Sequence, residues 1–385
     1  MQKPNKAALK KIVFINQATG YLTIDIINAF ANDFDKVALI SGSIRVQDIE
    51  LNKNVTFSTI IKYDRGNPAR KLTSWLIGTL QIYFLLLTKY RSYDIFYITI
   101  PPSAYLLSAF LKNKFSILIF DVYPDVLKIY NINEGNWLYK FWGRQNKKIF
   151  AKAHRVYTIG EGMAKLVDAY MSRNKMVIIP NWSGLTKLHS VSKENNPWIK
   201  RNILENKFIV QYSGNIGYTH NVEELVEIAK ELKNEKDLIF LIIGRGEKVK
   251  LIQELITTYQ LNNCLLMPFQ ADNELNYSLA AADLGVVLLD DKTSHVSIPS
   301  KIYNLQAVGV PLLGIASMDS ELNKHIEQFH NGKCFPKNDK QGIIDFILNM
   351  KNHPDKQKLL SENSKIAAQF FTNANAGKYL QSYVS

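Results

Sequence analysis

Cysteine is almost missing from this chain. Its 385 residues include two, Cys264 and Cys334, far apart and without metal-ligand spacing. A disulfide framework is thereby excluded, and the composition fits a reducing compartment. Long apolar runs are missing as well. No stretch reaches the roughly 18 consecutive apolar residues that a spanning helix needs. The run Ile12-Val13-Phe14-Ile15 near the basic start is too short for a signal-peptide core. The expected location is the cytoplasm, peripherally associated with the inner face of the cytoplasmic membrane.

Other absences narrow the chemistry. The seven histidines show no metal-ligand spacing, and Asp290-Asp291 reads as an N-cap or a solvated turn, so no metal is expected. No zinc knuckle, RRM-like or helix-turn-helix signature occurs, which argues against nucleic acid as a partner. In Gly244-Arg245-Gly246-Glu247, Lys248 and Val249 follow where a dinucleotide fingerprint needs a third glycine. That argues against a nicotinamide enzyme, and no cofactor is expected. There is no internal repeat and no low-complexity segment.

What is present is an ordinary globular composition, 46% hydrophobic and 21% charged, on a chain long enough for two cores. Charge is unevenly spread. Residues 1–195 carry 27 Lys and Arg against 13 Asp and Glu, whereas residues 196–385 carry 20 against 21. The basic excess belongs to the first half, where it can meet a polyanionic substrate or an anionic membrane surface. Within that half Trp75–Leu87 is strongly apolar and is flanked by Arg70, Lys71, Lys89 and Arg91. It reads as a core helix of the first domain, one end of which could touch lipid.

Both halves alternate short apolar strands with amphipathic helices. Strand-like runs fall at 11–16, 37–41, 95–100, 116–121, 156–158 and 177–179, then at 208–213, 238–243, 264–267, 285–289 and 311–315. Continuous apolar strands between helices predict parallel sheets covered on both faces. Two such sets predict two Rossmann-like domains, with the boundary in the polar stretch 183–196. Ligands of such sheets bind beyond the carboxyl ends of the strands, so the residues after each strand are the candidates.

The segment Ser297-Ile298-Pro299-Ser300-Lys301-Ile302-Tyr303-Asn304 follows one of these strands. It reads as a loop entering the first turn of a helix, with Pro299 tolerated there because its missing N–H would be unpaired anyway. Free amides and the positive end of the helix dipole make an anion site. Lys301 adds a charge, Ser297 and Ser300 add hydroxyls, and Asn304 lies one turn on along the same face. A diphosphate with a ribose beside it fits that layout; an ordinary capped helix with a solvent-facing lysine is the competing reading. Ser213-Gly214-Asn215-Ile216-Gly217-Tyr218-Thr219-His220 also follows a strand, and its glycines allow close approach of a ligand. Asp121 and Asp125, four apart around Pro124, end a strand of the first half. Asp121 could accept a proton or orient a sugar hydroxyl, and Asp125 could do the same or merely start a helix.

In this order the motifs resemble family 4 retaining glycosyltransferases of the GT-B fold, especially the bacterial surface-polysaccharide branch. The resemblance covers nearly the whole chain. It rests on Ile100-Pro101-Pro102, Asp121-Val122-Tyr123-Pro124-Asp125 and Ile179-Pro180-Asn181-Trp182 in the first half. In the second half it rests on Tyr212–Gly217, Gly244-Arg245-Gly246, and Pro299–Asn304 followed by Gly309-Val310-Pro311.

The resemblance implies an α/β chain of two Rossmann-like, doubly wound parallel-sheet domains facing a central cleft. Residues 1–190 would form the acceptor side and face the membrane. Residues 191–370 would take the nucleotide-sugar donor, and 371–385 would form a helix packing back on the first domain. Asp121 would be catalytic. Donor contacts would come from Gly20, Ser213, Gly214, Asn215, Gly217, His220, Gly244, Arg245, Phe269, Ser297, Ser300, Lys301 and Asn304. Pro102, Tyr123 and Asp125 would lie on the acceptor or sugar side. The implied reaction is metal-independent transfer, with retention, from a nucleoside-diphosphate sugar to a lipid-linked saccharide acceptor in capsule, O-antigen or exopolysaccharide synthesis. UDP and an N-acetylated sugar are favoured. The chain departs from the family at two glutamates usually placed eight apart, where it has Val296 and Asn304. It departs again where Asn215 and His220 replace a diphosphate-binding arginine and lysine. Two alternatives follow: a nucleotide-sugar 2-epimerase of the same fold, or a non-catalytic sugar-nucleotide-binding partner.

Overall fold

The structure is a computed structural model. It describes residues 9–385 apart from 65, 131, 133, 218–220 and 291–298. The chain divides into two compact units, Met1–Gly184 together with Asn373–Ser385, and Leu185–Thr372.

The first unit begins β1 (Lys11–Ile15), β2 (Ala18–Thr19), α1 (Tyr21–Ala31), β3 (Lys36–Ser41), β4 (Ser43–Ile44), β5 (Thr56–Thr59) and α2 (Pro68–Leu87). It continues with β6 (Asp94–Ile98), β7 (Phe115–Ile119), α3 (Trp137–Lys152), β8 (Val156–Thr158), α4 (Glu161–Val167) and β9 (Met176–Ile178). Its main sheet has the order β5-β3-β1-β6-β7-β8-β9 and is parallel throughout. Alternation along each strand divides the core. Val13, Ile15, Ile95, Tyr97, Ile117 and Ile119 face Ile82 and Leu86 of α2 and Ile149 and Phe150 of α3. Phe14 and Phe96, paired in register, stack at 5.0 Å on the other face and meet Phe30 of α1 edge-on.

The second unit runs α5 (Pro197–Arg201), β10 (Phe208–Asn215), α6 (Glu223–Glu231), β11 (Leu238–Arg245), α7 (Val249–Thr258), β12 (Cys264–Pro268), α8 (Asp272–Leu279) and β13 (Leu284–Leu288). It ends with α9 (Lys301–Ala307), β14 (Leu312–Ile315), α10 (Glu321–Phe329), β15 (Gly332–Phe335), α11 (Lys340–Asn352) and α12 (Pro354–Ala368). Its parallel sheet has the order β12-β11-β10-β13-β14-β15. The last helix, α13 (Asn375–Val384), belongs to the first unit. Tyr383 packs edge-on against Phe30 at 5.4 Å and donates its hydroxyl to Asp94 at 2.7 Å.

The first unit gives way to the second at Gly184, six residues before the expected 190. The reason is Trp182. Its side chain is fully buried, its indole Nε1 donates to Asp25 of α1 at 2.8 Å, and its carbonyl accepts from Tyr21 at 3.0 Å. The chain is thus tied to the first unit almost to Ser183. Strands β5 and β15 escaped the sequence reading because neither is a continuous apolar run: β5 exposes three of its four residues, and β15 opens on Gly332 and Lys333. The helix after β13 starts at Lys301 with Ser300 as N-cap, so Pro299 precedes the helix and does not sit in its first turn.

Candidate active site

In each sheet the strand order reverses once, which is where an open α/β sheet leaves a crevice at its carboxyl edge. In the second unit that point lies between β10 and β13. Lys301, the first residue of α9, lies against the end of β10. Its ammonium sits 4.0 Å over the ring of Tyr212, and a Cβ added at Gly214 would lie 2.9 Å from it. Gly214 has φ +153, a conformation that side chains rarely allow, so the backbone calls for glycine there. The Tyr212 hydroxyl donates to the Asn215 carbonyl at 2.6 Å, which fixes the ring as a floor for the cation.

The Lys301 Nζ is buried and has no hydrogen-bond partner among the described residues. Burial lowers its pKa from the usual lysine value to about 7. An enclosed cation attended by one aromatic face has unused capacity for an anion, because burying an ammonium without acceptors costs free energy that an anion would offset. Next to it, Arg245 at the end of β11 places its guanidinium 5.0 Å over Phe269, whose ring is partly exposed. Gly244 lets the strands close up, since a Cβ there would lie 2.1 Å from the Gly214 carbonyl oxygen.

Ser213, Gly214, Asn215, Gly217, Gly244, Arg245, Phe269, Ser300, Lys301 and Asn304 thus all fall on the ends of β10, β11 and β12 and the start of α9. Ser300 caps that helix through its backbone, its side chain making no capping bond. The expected His220 and Ser297, and the departure at Val296, lie outside the described residues.

In the first unit the order reverses between β1 and β6. Gly20, the N-cap of α1, has an ordinary φ of −115, and a Cβ there would meet nothing within 4 Å. Neither backbone nor neighbouring atoms demand glycine at that position. Pro102 is buried in the turn after β6. Asp121 follows β7 and keeps solvent contact, yet surrounding protein raises its carboxyl pKa and the charge of Lys71 opposes that rise. A carboxylate both wetted and crowded sits in a concave surface, where a proton acceptor or a partner for sugar hydroxyls is useful.

Asp125 is different. It accepts hydrogen bonds from the Tyr139 and Tyr170 hydroxyls, both at 2.6 Å, and pairs with Lys128 at 3.3 Å. Its oxygens are engaged in tying the segment Asp125–Tyr130 to α3 and to the turn after α4. Tyr123 is likewise inside, stacked on Trp142 at 5.4 Å and edge-on to Trp75 at 6.0 Å. These two residues are engaged inside the first unit, whereas Asp121 presents an open carboxylate.

Sequence reasoning assigned no site role to Tyr212, Lys71 or Trp75. Tyr212 carried a signal, because it stands two residues before Gly214 on a strand and so shares its face. Lys71, over the Trp75 ring at 4.9 Å, had none, because its nearness to Asp121 joins residues fifty positions apart. Beside them a cavity of about 720 Å³ is lined by Lys62, Tyr63, Asp64, Arg70, Thr73 and Ser74. Among the described residues no cluster of three or more His, Cys, Asp or Glu is placed to hold a metal ion.

Residues 194–367, inside the second unit, match the family described as "Glycosyl transferases group 1". WbjE of Pseudomonas aeruginosa, named a probable glycosyltransferase, is 24% identical over 340 residues, 86% of this chain and 85% of its own length. WcaI of Escherichia coli strain K12, provisionally named a glycosyl transferase of colanic acid biosynthesis, is 28% identical over 177 residues, 45% of this chain and 43% of its own length. Among solved structures, Anabaena HepE in complex with UDP and glucose matches with a TM-score of 0.73 at 15% identity, over 97% of this chain and 99% of that one. The fold, two Rossmann-like parallel sheets, is that of GT-B glycosyltransferases.

Proposed function

We propose that the chain is a retaining group 1 glycosyltransferase that moves a sugar from a nucleoside-diphosphate donor to a lipid-linked saccharide during surface-polysaccharide synthesis. The observation that carries this reading is the enclosed ammonium of Lys301, without a hydrogen-bond partner among the described residues, at the carboxyl edge of the second sheet. A diphosphate supplies what that cation lacks. The family match over residues 194–367 supports the same assignment for this unit, and the relatives WbjE and WcaI are named as glycosyltransferases. UDP is the favoured nucleotide, since HepE was solved with UDP and glucose on the same fold. An N-acetylated sugar is the expected cargo.

In this reading the second unit takes the donor and the first takes the acceptor. Lys301 and Arg245 neutralise charge as the diphosphate departs, without a protein nucleophile or a metal. The base rests against Phe269, and Asn304 bonds a ribose hydroxyl. Asp121 orients the acceptor hydroxyl or takes its proton.

The test is incubation of the purified protein with UDP-sugars and a lipid-linked saccharide, after a thermal-shift comparison of UDP with GDP. A lipid-linked product one sugar longer, with the anomeric configuration of the donor, is expected. Epimerised donor formed without acceptor would replace the reading with an epimerase. Binding without turnover would replace it with a non-catalytic nucleotide-sugar binder.

A further inference from the structure

The cavity of about 720 Å³ in the first unit lies between two segments, the stretch 61–64 after β5 and the first two turns of α2. Gln17, fully buried just beyond β1, ties them together. Its side-chain amide donates to the Ile61 carbonyl at 3.1 Å and to the Ser74 carbonyl at 2.8 Å. The Ile61 amide donates to Gln81 of α2 at 2.8 Å, and the Asp64 amide to the Ser74 hydroxyl at 3.3 Å. Both walls are thus fixed to the end of β1, beside the point where the strand order of this sheet reverses.

The lining fits a saccharide. The volume is within the roughly 300–1,000 Å³ of ligand pockets. Tyr63 lines the cavity and stacks on Trp75, their rings 6.1 Å apart and 11° from parallel, which stiffens an aromatic wall. A sugar ring packs its C–H face on such a wall, while its hydroxyls need polar partners. Thr73 and Asp64 offer them, although one Asp64 oxygen already accepts from the Gly66 amide at 2.8 Å.

Charge narrows the class. Lys62 stands on the loop wall and Arg70 on the helix wall, both exposed, and neither is in an ion pair with a described residue. Two cations on opposite walls of a concave surface add their fields inside it. A neutral glycan makes no use of that field. A phosphoryl group does, because its oxygens can take a bidentate guanidinium on one side and an ammonium on the other. Lys71, next to Arg70, is near enough to Asp121 for its charge to act on that carboxyl, so the cavity and Asp121 are neighbours.

We propose that this cavity binds the phosphorylated end of a saccharide acceptor. Arg70 and Lys62 hold the phosphoryl oxygens, and Tyr63, Asp64 and Thr73 seat the adjoining sugar. The inference rests on the reading of the first unit as the acceptor side, and it adds that an anionic group of the acceptor is itself recognised. The phosphate can belong to a diphosphate linkage at the reducing end or to a phosphate on the sugar ring.

The experiment is calorimetric titration of the full chain, with UDP present to occupy the anion site at Lys301. The probes are propyl diphospho-N-acetylglucosamine, propyl N-acetylglucosaminide 6-phosphate and the uncharged propyl N-acetylglucosaminide. At least one phosphorylated probe is expected to bind about tenfold or more tightly than the uncharged one, and the tighter of the two names the source of the phosphate. Arg70→Gln and Lys62→Gln change exposed side chains, and circular dichroism verifies their folds. Each should weaken that probe by about tenfold and leave the uncharged one unaffected. In transfer assays each should raise KM for the acceptor without changing kcat or the donor KM. Equal affinity for charged and uncharged probes overturns the proposal, as does undiminished binding by the Arg70→Gln, Lys62→Gln double variant. Binding lost in Lys301→Ala but kept in the double variant places the probe in the second unit and overturns it too. Binding through Arg70 and Lys62 in a chain that transfers no sugar upholds the cavity and overturns the transfer reading alone.

Discussion

The two units share one architecture and treat their charges in opposite ways. In the second, lysines are matched by carboxylates: Lys248 with Glu223 at 2.6 Å, Lys340 with Glu231 at 2.8 Å and Lys351 with Glu235 at 3.2 Å. Among the described residues its conspicuous unmatched cation is the buried Lys301. In the first, α2 and α3 carry cations on helices that contain no acid at all. Surplus charge on an exposed helix attracts a broad anionic surface. Surplus charge enclosed over an aromatic ring selects one small anion, because the enclosure supplies both the desolvation penalty and the geometry. Two equivalent folds are thereby specialised by where the uncompensated charge sits.

The sharpest way to break this comparison is to remove the open carboxylate of Asp121 in the first unit. Asp121→Asn should lower the rate of sugar transfer by about 10²- to 10⁴-fold, the range for a lost acid–base group, with donor affinity and circular dichroism unchanged. Full activity would remove Asp121 from the chemistry. Next in size, Lys301→Ala should weaken UDP-sugar binding by about 1.5–3 kcal/mol, as expected for a lost charge-assisted contact. Calorimetric titration reads this directly, and unchanged affinity would place the diphosphate elsewhere.

The neighbouring aspartate makes a control. Asp125→Asn should cost about 1.5–3 kcal/mol of stability in urea unfolding, because two tyrosine hydroxyls lose their charged acceptor. An Asp125→Asn protein as stable as the parent, but inactive, would move that residue into the chemistry.

The smallest expected effect is in pH. Burial lowers Lys301 to about 7, whereas the unfolded value is near 10.5. Between those values the unfolded chain holds a proton that the folded one has released, so stability contributed by this site rises with pH across that window. Anion binding has the opposite sense. A diphosphate needs the charged form, so UDP-sugar affinity should fall above pH 7 by no more than about tenfold per unit, one proton's worth. The Lys301→Met protein should show neither slope, and a slope that survives in it would assign the titration to another group.

How much of this was legible beforehand differs between the fold and the site. The alternation of apolar runs with amphipathic helices was enough to predict two parallel sheets, because strands buried on both faces must be continuously apolar. Glycines and a lysine after strands marked the carboxyl edge of the second sheet, since ligands of such sheets gather there. The nearness of Lys71 to Asp121 was illegible, as was the use of Asp125 by Tyr139 and Tyr170. Each joins residues that only the folded chain brings together. Trp75–Leu87 read as a core helix because its composition is apolar on all sides, but the sheet covers only one of those sides.

The amino-acid sequence by itself determined the number of units, the parallel sheets, the uneven charge and the edge on which ligands would gather. All of these are set by local periodicity and by residue type. Tertiary structure alone decided which aspartate stays open and that Lys301 loses its water over Tyr212. It also decided that Leu80 and Phe84 of α2 face outward. Burial, partner saturation and exposure are properties of what packs against a residue, and that is chosen only when distant segments meet.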